Sequence, residues 1–115
     1  MRHSTGKPTK AQQARFDALK ELGCICCWNF HGIKTGAEIH HIVDKGYRKH
    51  SGGHDATLPL CPWHHRGITP GSVNPSHMEF MWGPSLARSK RWFIREFGTE
   101  RQLLETVNAM LERQK

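Results

Sequence analysis

The chain has 115 residues, room for one domain with a modest core. Only 37% of them are apolar, so a staple is expected, and four Cys beside nine His point to a metal. Lys and Arg outnumber Asp and Glu by 17 to 10, a formal net charge of +7 that favours polyanionic partners, nucleic acid before membrane.

No apolar run is long enough to span a bilayer, and no signal-peptide core follows the start. A cytoplasmic setting is therefore expected, in which four Cys read as metal ligands rather than as two disulfides.

Residues 1–8 are polar and basic and are expected to be flexible, leaving 9–115 as the single domain. Thr9 and Gln12 form a capping box for a helix with Ala11, Ala14, Ala18, Leu19 and Leu22 on one side, stopped at Gly23. From Trp28 to Val43, the mixture of Phe30, Ile33, Ile39, Ile42 and Val43 with Gly32 and Gly36 predicts a short, irregular hairpin whose second strand is 37–43. Residues 44–55 read as a loop, 57–60 as a strand, and the segment after Cys61 as a short helix carrying His64 and His65. Residues 68–84, rich in Gly and Pro, read as another loop. Ser85 can cap a helix with Leu86, Phe93, Ile94 and Phe97 inward, ended by Gly98. Thr99 and Gln102 cap the last helix, which shows Leu103, Leu104, Val107, Met110 and Leu111, so the C-terminal helices span about 85–113.

Cys24-x-x-Cys27 and Cys61-x-x-His64 are two ligand pairs at knuckle spacing, enough to complete a tetrahedron. Thiolates and imidazole select zinc over magnesium or calcium. Cys26 leaves the second ligand ambiguous by one residue; the spacing from Cys24 prefers Cys27. On an extended strand His40 and His41 point in opposite directions. One imidazole can then hold a metal while its neighbour handles a proton, a role suited to a pKa near working pH.

The run Glu38-Ile39-His40-His41-Ile42, then Gly52-Gly53, then Leu58-Pro59-Leu60-Cys61-Pro62-Trp63-His64-His65, resembles the HNH (ββα-metal) nuclease motif. With Gly-Gly-His-Asp-Ala-Thr ahead of its second half and a Phe-Gly-Thr helix junction behind it, the chain is similar to the phage recombination enhancement (Ref-like) nucleases, which cut DNA where RecA filaments have formed. That resemblance implies an α+β fold: a zinc-stapled ββα-metal core within 24–77, flanked by one N-terminal and two C-terminal helices. It implies a phage- or prophage-encoded, metal-dependent endonuclease with DNA and the RecA filament as partners. His41 would be the general base, and His40, His65 and His77 ligands of one catalytic divalent cation (magnesium or manganese, with zinc or nickel also suited to imidazole), while His64 serves the structural zinc. The asparagine of the motif falls near Ala56, which cannot hold the loop by side-chain hydrogen bonds, so His54 and Asp55 are the candidates to orient His41 from behind.

Lys45, Arg48, Lys49, Arg66, Arg88, Lys90, Arg91 and Arg95 are candidate phosphate contacts around this centre. No base-reading helix is visible, so little sequence specificity is expected. Trp28, Trp63, Trp82 and Trp92 read as packing residues. The competing reading is a non-catalytic zinc module that binds DNA or a recombinase and keeps the motif as scaffold.

Overall fold

The computed structural model describes residues 6–46, 48 and 51–114. Residues 1–5 of the segment expected to be flexible, and Lys49 of the expected DNA surface, lie outside the described residues. Helix α1 (Lys10–Leu22) opens on the expected capping box, Thr9 and Gln12 each accepting from the other's backbone N–H at 3.1 and 2.9 Å. Gly23 ends it at φ 85°, where a Cβ would lie 2.8 Å from the Thr35 carbonyl, so only glycine fits this turn. The buried face differs from the alanine stripe expected: Phe16 and Leu19 are buried, whereas Ala11 and Ala14 are exposed. A ring removes more apolar area from water than several methyls.

The expected hairpin over 28–43 is corrected: its first part is helical. Residues Ile25–His31 form helix α2, with Cys24 at its N-cap and Gly32 as a left-handed C-cap. Seven residues make too few turns to display a helical period, and Ile25, Cys26 and Cys27 are buried together because α2 packs on the sheet. Strand β1 (Glu38–His41) then pairs antiparallel with β2 (Thr57–Leu60), His40 opposite Leu58 and His41 opposite Thr57. β1 is shorter than the predicted strand and ends before Val43, which is exposed. A 3-10 turn, Gly53–Asp55, leads into β2, and α3 (Pro62–Arg66) follows it directly.

The expected loop at 68–84 contains a helix, α4 (Pro75–Trp82). Asn74 caps it, accepting from the Ser76 N–H at 2.8 Å, and Pro75 occupies its first turn, where proline starts a helix instead of breaking it. Helix α5 (Lys90–Phe97) begins later than Ser85, whose hydroxyl closes only a turn. Helix α6 (Glu100–Arg113) has the predicted Thr99–Gln102 capping box.

β2 is buried along its whole length, with α1, α2, α3 and α6 packed on it. Leu19, Ile25, Ile42, Leu58, Leu60, Phe93, Leu103 and Val107 are the centre of the core. Trp63 is buried and Trp82 packs against the core, but Trp28 and Trp92 are exposed, contrary to the expectation that all four tryptophans pack. Among the described residues no helix is long and apolar enough to cross a membrane.

Candidate metal cluster and histidine cleft

Cys24, at the start of α2, Cys27 within it, and Cys61 and His64, which cap and form α3, bring their ligand atoms within 4.8 Å of one another, all buried. The His64 Nδ1 lies 3.5 Å from Cys24 Sγ, 3.5 Å from Cys27 Sγ and 3.3 Å from Cys61 Sγ, and the Cys27 and Cys61 sulfurs are 3.8 Å apart. A zinc tetrahedron has S···N edges of about 3.5 Å and S···S edges of about 3.8 Å, from bond lengths of about 2.3 and 2.0 Å. The cluster therefore fits a structural metal such as zinc. His64 Nε2 donates to the Trp82 carbonyl at 2.7 Å, so Nδ1 is the nitrogen that faces the sulfurs.

Charge in the cluster follows the same logic. Against the upward push of burial, hydrogen bonds with Cys26, Cys27, Cys61 and His64 hold the Cys24 thiol well below its ordinary value. Hydrogen bonding to Cys24 drives Cys27 the other way, since the sulfurs resist ionising together without a cation. Burial would push His64 down, but hydrogen bonds to Cys24 and Cys61 carry it up to about 10. Cys26 lies outside the cluster, and burial raises its thiol well above the usual range. The ambiguity left by the sequence thus falls to Cys27.

His40 and His41 engage different partners, as their alternation on β1 requires. His41 Nε2 is 2.9 Å from His54 Nδ1, and His54 Nε2 is 2.7 Å from the Gly6 carbonyl. A carbonyl only accepts, so His54 carries its proton on Nε2 and accepts at Nδ1 from His41 Nε2–H. His41 is left with a bare Nδ1. Phe16 closes this side, its ring edge-on to both imidazoles. Burial first, then the charge of Arg48, lowers His41 to about 4. Asp55, the other candidate support, instead accepts from Gln12 Nε2 at 3.2 Å.

On the opposite side His40 and His65 lie with ring centroids 4.9 Å apart and line a cavity of about 330 Å³ with Arg66, Lys90 and Glu100. His40 Nε2 meets the Glu100 carboxylate, and His65 Nδ1 lies 2.9 Å from Glu38 Oε1. Burial lowers His65, with Glu38 opposing it. The guanidinium of Arg66 grips Glu38 and holds its carboxyl below the usual range. Neither carboxylate carries a sequence signal of this role. Glu38 stands in the motif itself; Glu100 reaches His40 from sixty positions away, and no local signal announces it.

His77 is exposed on α4 and does not line that cavity. Among the described residues, the four-residue cluster is the one group of three or more His, Cys, Asp or Glu with ligand atoms that close together.

Ala56 also finds its reason. Gly52, at φ 115°, packs so tightly on it that a Cβ there would lie 2.6 Å from the Ala56 Cβ. The loop is instead tied by Arg101, which donates to Asp44 at 2.8 and 2.7 Å and to the Ser51 carbonyl at 2.8 Å, and by Ser51 Oγ, which accepts from the Lys45 N–H at 3.0 Å.

Of the basic residues, Lys45 and Arg48 are exposed on this loop and Arg66 sits at the cavity rim, paired with Glu38. Lys90, Arg91 and Arg95 line an open groove along α5 with the exposed Trp92. Arg88 also borders the groove, but its Nε donates to the Gly67 carbonyl at 2.8 Å and its guanidinium lies over Trp63. Lys90 belongs to both the groove and the histidine cavity.

These features define a small α+β protein with a buried Cys3His cluster that could hold a metal and a histidine-lined cleft opening on a basic face. The family model for recombination enhancement, RecA-dependent nuclease matches residues 8–112, nearly the whole chain. The chain belongs to that family, whose description carries nuclease action and dependence on RecA.

Proposed function

We propose that this chain is a metal-dependent DNA endonuclease of the HNH type, weakly sequence-specific, that processes DNA during recombination where RecA filaments have formed. The observation that carries it is the split between adjacent strand residues: His41 backed by His54 on one side, His40 beside His65 on the other. His41 Nδ1 takes a proton from the attacking water while His54 holds the ring in place. A divalent cation on His40 and His65, when bound, supplies positive charge where the phosphate and departing 3′ oxygen gain negative charge. The expected ion is magnesium or manganese, completed by water and phosphate oxygens, and the imidazole nitrogens also accept zinc or nickel. By the same resemblance the products carry 5′ phosphate and 3′ hydroxyl ends. Lys90, Arg91 and Arg95, with Lys45 and Arg48, draw the phosphate backbone to the cleft without reading bases.

His41→Ala is expected to abolish nicking of supercoiled plasmid with magnesium or manganese while zinc content and fold persist. Wild-type protein that nicks neither single- nor double-stranded DNA with any of these metals, with or without RecA filaments, would leave a zinc scaffold that binds but does not cut.

A further inference from the structure

We infer that Glu38 and Glu100 are positioning residues that fix His65 and His40 in opposite tautomers, so that a divalent cation in the cleft is taken by Nε2 of His65 and by Nδ1 of His40. This rests on His40 and His65 being ligands, as proposed above.

The two carboxylates reach the cleft from distant parts of the chain, Glu38 on β1 and Glu100 in the first turn of α6. Arg66 donates to both oxygens of Glu38, its Nε to Oε1 at 2.9 Å. A carboxylate gripped in this way only accepts. The His65 nitrogen 2.9 Å from Oε1 must therefore be the one bearing hydrogen, Nδ1. A neutral imidazole has a single N–H, and Nε2 keeps the lone pair.

Glu100 is 7% exposed. Glutamates that buried are rare unless paired, and this one sits where a helix N-terminus favours negative charge. Its oxygen engages Nε2 of His40, so here Nδ1 keeps the lone pair. Each imidazole is thus oriented by an outer carboxylate, the arrangement that sets ring orientation and basicity in many metal sites. Both rings border one cavity.

The test uses the full chain, labelled with nitrogen-15, its cysteine cluster loaded with zinc, and further zinc added as a diamagnetic probe. Long-range proton–nitrogen correlation spectra report which ring nitrogen of each histidine is protonated. Before the second ion, His65 should be protonated at Nδ1 and His40 at Nε2; on titration the bare Nε2 of His65 and Nδ1 of His40 should shift. Glu38→Gln and Glu100→Gln should each weaken the second zinc by roughly 10- to 100-fold while the cluster keeps its ion. Ligation through the other nitrogens, wild-type affinity in both variants, or affinity lost in Glu100→Gln with His40 never shifting would overturn the inference and leave a metal site in the cleft. A second ion that shifts neither ring, whatever their tautomers, overturns the ligand assignment itself and this inference with it.

Discussion

His54→Phe separates packing from hydrogen bonding at the proposed base. Phenylalanine keeps a ring edge-on to Phe16, 5.5 Å away in the parent, but deletes the Nδ1 that accepts from His41 and the Nε2 that donates to Gly6. The His41 Nε2–H then faces an apolar ring in a half-buried place. Leaving such a donor unsatisfied costs about 1–3 kcal/mol, and if the cost falls on the productive orientation of His41, kcat drops roughly 5- to 150-fold, at about 1.4 kcal/mol per tenfold. KM should stay within about twofold, because the proposed phosphate contacts, Lys45, Arg48 and the basic residues of α5, are not substituted. Plasmid nicking at saturating and subsaturating DNA, with a thermal melt to verify the fold, measures both. A folded His54→Phe with wild-type kcat, or with a loss confined to KM, would refute the role of His54.

If the cluster holds zinc, Cys27→Ser should abolish its binding and unfold the chain, since a structural zinc contributes about 10–16 kcal/mol in small domains against a total stability of about 5–15 kcal/mol; Cys26→Ser should bind zinc as the parent does, and elemental analysis of both decides it. The Arg101 guanidinium holds Asp44 below the usual carboxylate range, so this pair stabilises the fold fully above the unfolded value of about 3.9 and loses its contribution as pH falls through the lowered folded value. Both side chains are partly solvated, which limits the effect to about 1 kcal/mol or less. Urea midpoints of Asp44→Asn should fall below wild type near neutral pH and converge with it in strong acid; a constant gap would sink the linkage. Cleavage should depend on RecA filaments, and a chain that cuts naked DNA equally well with and without them would refute that dependence.

Capping boxes at Thr9–Gln12 and Thr99–Gln102, the strand at 57–60 and the paired ligand spacings were legible because each is a local pattern with a local cause. The misreadings share a different origin. Helices α2 and α4 are too short to display a period, and the glycines and prolines that bound them resemble loop signals. Helix α5 opens on Ser89, which makes no side-chain cap, so Ser85 was the more visible but wrong start. Glu100 and Arg101 act across the fold, on His40 and on the 44–55 loop, and nothing near them in sequence marks either contact. Ala56 looked like a gap in the motif because the sequence does not show Gly52 folded onto it.

Two adjacent histidine pairs carry the proposed site, and both divide by geometry. In β1, alternation sends His41 toward His54 and Phe16, and His40 toward Glu100. In α3, about 100° of rotation per residue sends His64 into the cysteine cluster and His65 to Glu38 and the cavity. The five-residue helix is held at its start by Cys61, itself a member of the cluster, and at its centre by His64. A helix this short has little stability of its own. The position of His65 is therefore set by the cluster and by β2, from which Cys61 follows directly. Loss of an ion from the cluster should release His65 together with His64, whereas loss of an ion from the cleft should leave the cluster and the helix in place. Metal removal is accordingly expected in two stages, reversible loss of cutting before loss of fold.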